Sequence, residues 1–404
     1  MKIYVTVPKK QREYQLTFTQ LLSDDVFNYM RRPLKDTKDT VTYFIDEEKC
    51  KKELIEKFNV YNVINDLEEF YNKYKFFFDE EDRNKLYYRF YIPKKSKPHP
   101  KSKADMRQID APNEDFKLAL CELKTLFEKD FLIKYHTSCF SYAPNRDIKM
   151  CLERHQSNQS KWFLKLDLKN FFPNTTEEFI INQISTIFPY NLVMKDERGK
   201  FLLQKCINLC TLNGGLPQGT PISPMLTNIV MLPIDYTISK ILRKKYKKFR
   251  FTYTRYADDI IVSSPYKFEY KEIESKIEEI FKKFSVPFSL NREKTRFGSN
   301  SGRNWNLGLM YNKDGNITVG HQRKKELKAA LNSFVLDYIN KGAFDFNGTQ
   351  KLRGQISYIN QIEPDYVAKL INFYNKKYQC DVYGIFKQIL SGQVIMDSQV
   401  IQCE

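Results

Sequence analysis

The chain of 404 residues reads as an α+β protein, and three patterns predict that class. Apolar residues recur at helical spacing near both ends. Two central segments switch to the period of two that marks a half-buried strand. Between them runs "NGGLPQGTPISP", a loop dense in Gly and Pro that neither a helix nor a strand interior tolerates. The length accommodates two or three domains, each large enough for its own core.

Taken in order, residues 1 to about 90 are expected to be mostly helical. "DEEKCKKELIEKFNVYNVINDLEEFYNKYKFFF" places Leu54, Phe58, Val63, Leu67, Phe70 and Tyr74 near one helical face. "PKKSKPHPKSK" follows as an exposed, basic loop. Helical patterning returns in "NEDFKLALCELKTLFEKDF", with Asn113 as N-cap and Phe116, Leu120, Leu123 and Phe127 on one side. "KWFLKLDLKNFF" is strand-like: Trp162, Leu164, Leu166 and Leu168 alternate with Phe163, Lys165, Asp167 and Lys169. By the same alternation Phe171 and Phe172 face opposite ways. A helix is expected over Thr176–Ile187, and "RFTYTRYADDIIVSS" reads as a hairpin with Asp258 and Asp259 at its tip. "EIESKIEEIFKKF" is an amphipathic helix, "FSLNREKTRFG" and "NWNLGLMYN" are strand-like, and "DGNITVG" looks like a hairpin end. From about residue 321 the chain is helical and basic.

Composition narrows the function. Apolar residues make up 42% and aromatics 15%, which excludes wholesale disorder. The 66 Lys and Arg against 49 Asp and Glu leave a net charge of +17, which points to a polyanionic partner, nucleic acid before membrane. No stretch approaches the 18 or so apolar residues of a spanning helix, and the N-terminus lacks a signal-peptide pattern. Eight cysteines are scattered singly. That fits a reducing, cytoplasmic compartment and argues against a disulfide framework or a zinc finger. Cys206 and Cys210 lie one helical turn apart and read as core.

The chemistry rests on carboxylates. Asp167 lies on the polar face of a strand otherwise dressed in lysines, and Asp258 and Asp259 lie at a hairpin tip. On the hairpin alone two readings are open. The pair are turn residues, common at such tips, or they hold metal together with Asp167, a cluster that divalent ions would make stable.

Four segments taken together carry a resemblance. "RQIDAP" from Arg107, "FLKLDLKNFF" around Asp167, "GLPQGTPISPMLTN" from Gly215 and "YADD" at Tyr256–Asp259 stand in the order and rough spacing of reverse transcriptases. The chain resembles bacterial members most, the retron, group II intron and phage-defence types, over about residues 90–315. The resemblance implies a right-hand polymerase with fingers, palm and helical thumb. The N-terminal accessory region would span 1–90, the fingers 91–160 with part of 200–222, the palm 161–314, and the thumb and C-terminal region 315–404.

By similarity, Asp167 and Asp258 are metal ligands, Asp259 is a supporting carboxylate, and two Mg²⁺ or Mn²⁺ ions are the cofactors. The backbone at Leu168 would reach a metal or triphosphate. Phe172 matches the steric gate that selects dNTPs over NTPs, and Gln218 and Gly219 match the loop against the incoming nucleotide. Arg107 resembles the Arg that grips the triphosphate, with Lys101 and Lys103 as candidates for a second cation. Arg146 falls in a template-contacting segment. Lys294 resembles the lysine that protonates leaving pyrophosphate, and "NLGLMYN" the primer grip. Two basic stretches, with Lys244, Lys245, Lys247 and Lys248 in one and Arg323, Lys324 and Lys325 in the other, would bind nucleic acid through phosphates.

The partners implied are an RNA template, a structured non-coding RNA in the first instance, a DNA or RNA primer, and dNTPs; self-association is open and no membrane is expected. A retron-type "NAxxH" and "VTG" are missing, as is the maturase region of group II intron proteins. The subtype expected is therefore the stand-alone enzyme of antiviral defence. Rival readings are a retron or group II intron enzyme or maturase, protein-primed or untemplated DNA synthesis, and a non-catalytic RNA-binding module on the same fold.

Overall fold

A computed structural model describes residues 2–8, 32–36, 40–46, 59–94, 100–102, 105–130, 135–300, 306–341 and 345–391. The chain divides into two compact units. The first comprises Met1–Asp147 and Leu164–Phe297, the second Ile148–Phe163 and Gly298–Glu404.

The first unit opens on strands β1 (Lys2–Pro8), β2 (Arg32–Asp36) and β3 (Thr40–Asp46), an antiparallel sheet in the order β1-β3-β2. This corrects the expectation that residues 1–90 are mostly helical. "KIYVTVP" and "TVTYFID" are rich in β-branched and aromatic residues, which favour a pleated strand. The helical reading holds for α1 (Val60–Lys73) and the short α2 (Lys75–Phe78), with Asn59 accepting from the Tyr61 N–H as cap. Leu54 and Phe58 lie outside the described residues.

Strands β4 (Tyr87–Pro93) and β5 (Met106–Pro112) pair from Tyr87↔Pro112 to Pro93↔Met106. Helix α3 (Glu114–Asp130) then starts as expected, with Asn113 Oδ1 accepting from the Phe116 N–H at 2.9 Å. Phe116, Leu120, Leu123 and Phe127 are fully buried on one face. Helix α4 (Ile148–Ser157) belongs to the second unit.

A four-stranded sheet carries the centre of the fold. Strand β6 (Trp162–Asp167) is followed by a helical turn, α5 (Phe171–Asn174), then α6 (Glu177–Ile184), α7 (Tyr190–Val193) and α8 (Glu197–Leu209). The turn α5 corrects the strand alternation expected at Phe171 and Phe172. Phe171 is buried and Phe172 half-buried, but the divergence comes from the roughly 100° step of a helix. Helix α9 (Ser223–Lys245) is buried on nearly all sides over its first half, mostly by apolar residues with Thr227 and Asn228 among them, the mark of a helix inside a core. It packs on α6, on α10 (Tyr270–Lys283) and on β7 (Thr252–Tyr256). Its last turn carries Arg243, Lys244 and Lys245, cations that suit the negative end of a helix. Strands β8 (Asp259–Ser264) and β9 (Arg296–Ser299) complete the order β7-β8-β6-β9.

The second unit holds a two-stranded ribbon, β10 (Met310–Tyr311) with β11 (Ile317–Thr318). Four helices follow: α11 (His321–Lys341), α12 (Phe346–Ile362), α13 (Pro364–Tyr378) and α14 (Val382–Leu390). Among the described residues no helix is long and apolar enough to cross a membrane. Cys206 and Cys210 are buried free thiols, as expected of core residues.

Candidate active site

Strand β6 ends on Asp167, while Asp258 sits in the two-residue turn between β7 and β8 and Asp259 opens β8 opposite Tyr256. The strand order sets β8 beside β6, and the Leu168 N–H donates to the Asp258 carbonyl at 3.0 Å. One strand end is thereby tied to the turn of its neighbour. Carboxylates far apart in the chain become neighbours.

They act on one another. Asp258 is half-buried, and its carboxyl is raised above the ordinary carboxylate range by burial and then by the charge of Asp167; Lys294 and Arg107 pull it down. Asp259 is pushed up to about 7 by the protein crowded around its carboxyl, then by Asp258 and Asp167, with Lys294 and Lys165 opposing. Like charges this close favour either a proton or a cation.

One cation is already there. Lys294 Nζ lies 2.9 Å from Asp167 Oδ1. The turn that carries it is docked on the same residue, since the Asn291 N–H donates to the Asp167 carbonyl at 2.8 Å. Among the described residues, no three His, Cys, Asp or Glu side chains are grouped closely enough to hold an ion as they stand. The carboxylates are neighbours rather than a closed cage. Their chemistry still fits a hard divalent ion: an all-oxygen donor set whose buried member draws an ammonium.

Arg107 and Phe172 connect to this site through Tyr142, and Gln218 and Gly219 to the strand that carries Arg107. Arg107 is exposed on β5, near enough for its charge to reach Asp258 and Tyr142. Phe172 meets the Tyr142 ring edge-on at 6.3 Å between centroids. The Phe172 turn is clamped: Leu216 N–H donates to the Phe172 carbonyl at 3.1 Å, and a Cβ on Gly215 would stand 1.8 Å from the Pro173 carbonyl oxygen. Gln218 and Gly219 lie against β5. The Gln218 carbonyl accepts from the Asp110 N–H at 2.7 Å, and at Gly219, with φ of +123°, a Cβ would be 2.9 Å from the Asp110 carbonyl oxygen. The close approach that Gly219 permits is therefore to the β4–β5 ribbon. The N–H of Leu168 is taken by the Asp258 carbonyl.

The remaining expected residues are held elsewhere. Arg146 gives one guanidinium nitrogen to two carbonyls of its own loop, His136 and Cys139, both at 2.6 Å. Lys244, Lys245, Lys247 and Lys248 are exposed, but they precede β7 at the end opposite Asp258. In the second unit Arg323 donates to the Gly308 carbonyl at 2.7 Å, Lys324 pairs with Glu363 at 2.5 Å, and Lys325 is exposed. Asn306–Leu309 forms a tight turn with Leu307 and Gly308 at positive φ, leading into β10. Lys101 is exposed, and Lys103 lies outside the described residues.

Three residues near the carboxylates escaped sequence reasoning as site residues. Lys165 shares the polar face of β6 with Asp167, a placement that the period of two made visible. Tyr142 and Ser141 reach the site through pairing with β7 that leaves no local signal: Cys139 bridges Arg255 in parallel, and the Phe140 N–H donates to the Arg255 carbonyl at 2.9 Å.

Known proteins are similar to this chain in sequence. The "Reverse transcriptase (RNA-dependent DNA polymerase)" family model matches residues 92–334. The retron Ec73 reverse transcriptase of Escherichia coli is 31% identical over 284 residues, covering 69% of this chain and 84% of that protein. The retron Ec83 reverse transcriptase of the same organism is 26% identical over 248 residues, 60% of this chain and 74% of that one. Among solved structures, a telomerase from Candida tropicalis with a TWJ fragment of telomeric RNA is similar with a TM-score of 0.42 at 15% identity. That likeness covers 76% of this chain and 57% of that one. The missing "NAxxH" and "VTG" therefore do not set the chain apart from retron enzymes. Four ordered motifs, carboxylates gathered at one sheet end and a relative matched over most of its length agree: the chain belongs to the reverse transcriptase family, the RNA-directed DNA polymerases.

Proposed function

We propose that this RNA-directed DNA polymerase works with two divalent ions, Mg²⁺ or Mn²⁺, held by Asp167 and Asp258 with Asp259 in support. The observation that carries the reading is the Leu168 N–H bond to the Asp258 carbonyl, which sets the end of β6 against the turn before β8. When bound, such ions activate the primer 3′-hydroxyl and neutralise the charge on the departing pyrophosphate. The residues of the chain do the rest. Arg107 grips the triphosphate with a forked, always-charged group. Phe172 sits under the sugar and excludes a 2′-hydroxyl. Gln218 and Gly219 form the wall beside the nucleotide, and Lys294 supplies a proton to pyrophosphate. Arg146 and the basic stretches serve the template.

The partner is a structured non-coding RNA that serves as template, with a DNA or RNA primer, in the cytoplasm of a bacterium. The retron reverse transcriptases among its relatives favour a retron-like role over a splicing role, and antiviral defence is the cellular setting we assign to it. Purified full-length protein with its co-purifying RNA is expected to incorporate dNTPs only with Mg²⁺ or Mn²⁺, and Asp258→Ala to abolish this without changing the melting temperature. Incorporation retained in that variant would remove the metal assignment. Sequencing the co-purified RNA together with its DNA product identifies template and primer; a product unrelated to that RNA would overturn the template assignment.

A further inference from the structure

The turn that presents Asp258 is held by side chains as well as by its own ladder. Ala257, buried and without a glycine's freedom, has φ of +55°, in the left-handed region that residues with a Cβ rarely adopt. Both of its peptide groups are gripped by side chains, one of them from a distant segment. Its N–H donates to Ser141 Oγ at 2.6 Å, and its carbonyl accepts from Arg255 Nη1 at 3.2 Å. Ser141 is itself anchored, its carbonyl accepting from Asn228 Nδ2 at 2.9 Å. Asn228 Oδ1 in turn accepts from Arg255 Nη1 at 3.2 Å and from Cys139 Sγ at 3.0 Å. Arg255 closes the network on Asp235, with Nε 3.0 Å from both carboxylate oxygens and Nη2 2.8 Å from Oδ2, while the Tyr253 hydroxyl donates to Asp235 Oδ1 at 2.6 Å. Ser141, Asn228, Asp235 and Arg255 are all at most 1% exposed.

From this geometry we infer that Ser141 is a positioning residue for Asp258, resting on the metal reading of that aspartate. Its hydroxyl is the acceptor that fixes the backbone one peptide before the carboxylate. Without it, the buried Ala257 N–H has no acceptor, and the left-handed turn has lost one of its two grips. The aspartate then samples positions other than the one facing Asp167. The serine belongs to the segment that also carries Tyr142, so the wall beside Phe172 and the carboxylate turn share one anchor.

The test uses the purified full chain, with Mn²⁺ alone as the probe in titration calorimetry and dNTP incorporation measured beside it. Ser141→Ala is expected to weaken Mn²⁺ binding about tenfold and to lower kcat to a similar degree, with KM for dNTP little changed. Ser141→Thr keeps the hydroxyl and restores both. Ser141→Cys, larger than serine but a poorer acceptor, falls between Thr and Ala. A folded Ser141→Ala with wild-type Mn²⁺ affinity and kcat overturns the inference. If Ser141→Ala does not fold, the Thr and Cys variants decide: Cys weaker than Thr upholds it, and equal values overturn it. Asp258→Ala separates the two levels. Mn²⁺ binding retained there sinks the metal reading and this inference with it. Binding lost there but unchanged in Ser141→Ala sinks only the role of the serine.

Discussion

Lys294 grips Asp167 twice over, through its own ammonium at 2.9 Å from Oδ1 and through a turn whose Asn291 N–H holds the Asp167 carbonyl at 2.8 Å. The lysine side chain is otherwise largely exposed, at 62%, so its packing would not hold the ammonium in place against the metal proposed for this carboxylate. On that proposal, competition and proton supply would be opposite faces of one residue. Lys294→Met should let Mn²⁺ bind several-fold more tightly, because the carboxylate loses its internal cation. It should also lower kcat by about a hundredfold or more, in the range a general acid contributes. Single-turnover incorporation across a metal titration measures both. An unchanged kcat would remove the acid role while leaving the competition intact.

The backbone that carries Phe172 is held in place. Its turn is fixed by the Leu216 and Thr175 N–H groups, both donating to the Phe172 carbonyl at 3.1 and 3.0 Å, and by Gly215 packed on Pro173. A ring carried on a fixed turn would discriminate by sterics if it lies under the sugar as proposed. Phe172→Ala is expected to improve ribonucleotide use relative to deoxyribonucleotide by about ten- to a hundredfold, the range that a steric contact of this size controls. Competing rNTPs against dNTPs on one primer checks it, and an unaltered ratio would assign sugar selection to another residue.

What could be read in advance follows the range of the interactions. The period of two in "WFLKLD", the Asn113 cap and the hairpin around Asp258 are local, and each stands where the sequence places it. The β4–β5 ribbon was hidden because its strands are separated by a long Pro- and Lys-rich stretch rather than a two-residue turn. The helical turn at Phe171–Asn174 was misread because two adjacent aromatics carry no period. Ser141 was illegible for a stronger reason. Its bond to Ala257 spans 116 residues, and no local pattern encodes a contact of that separation.

The basic cluster of Lys244, Lys247 and Lys248 stands before β7, and Asp258 follows that strand. A five-residue strand spans about 17 Å, so these cations stand well away from the proposed metal site, and the RNA contact proposed for them would lie away from the reacting end. Lys248 also lies over the Phe249 ring at 4.9 Å, an arrangement that keeps the ammonium near the surface. The triple variant Lys244→Ala/Lys247→Ala/Lys248→Ala is expected to weaken RNA binding and to reduce the slope of log affinity against log salt by about three, one unit per phosphate contact. Filter binding from 50 to about 300 mM salt gives the slope. An unchanged slope would mean that the cluster serves the helix end alone.

Asp130 makes stability respond to pH in a direction that most carboxylates do not. It is buried at the end of α3, where the Tyr190 hydroxyl donates to its Oδ2 at 2.9 Å, and its carboxyl is pushed up to about 6 by that burial against the pull of the hydrogen bond. The folded chain therefore holds this proton more tightly than the unfolded chain does. Stability from the group is complete below about pH 4, the unfolded value, and is lost as pH rises through about 6. A shift of roughly two units corresponds to an upper bound of about 3 kcal/mol. Asp130→Asn keeps an acceptor for Tyr190 and cannot ionise. Urea denaturation of the two proteins should thus show the variant gaining on the wild type between pH 4 and 6, then a constant advantage above that window. A stability difference that is flat across it would mean that Asp130 titrates at its ordinary value in the folded chain.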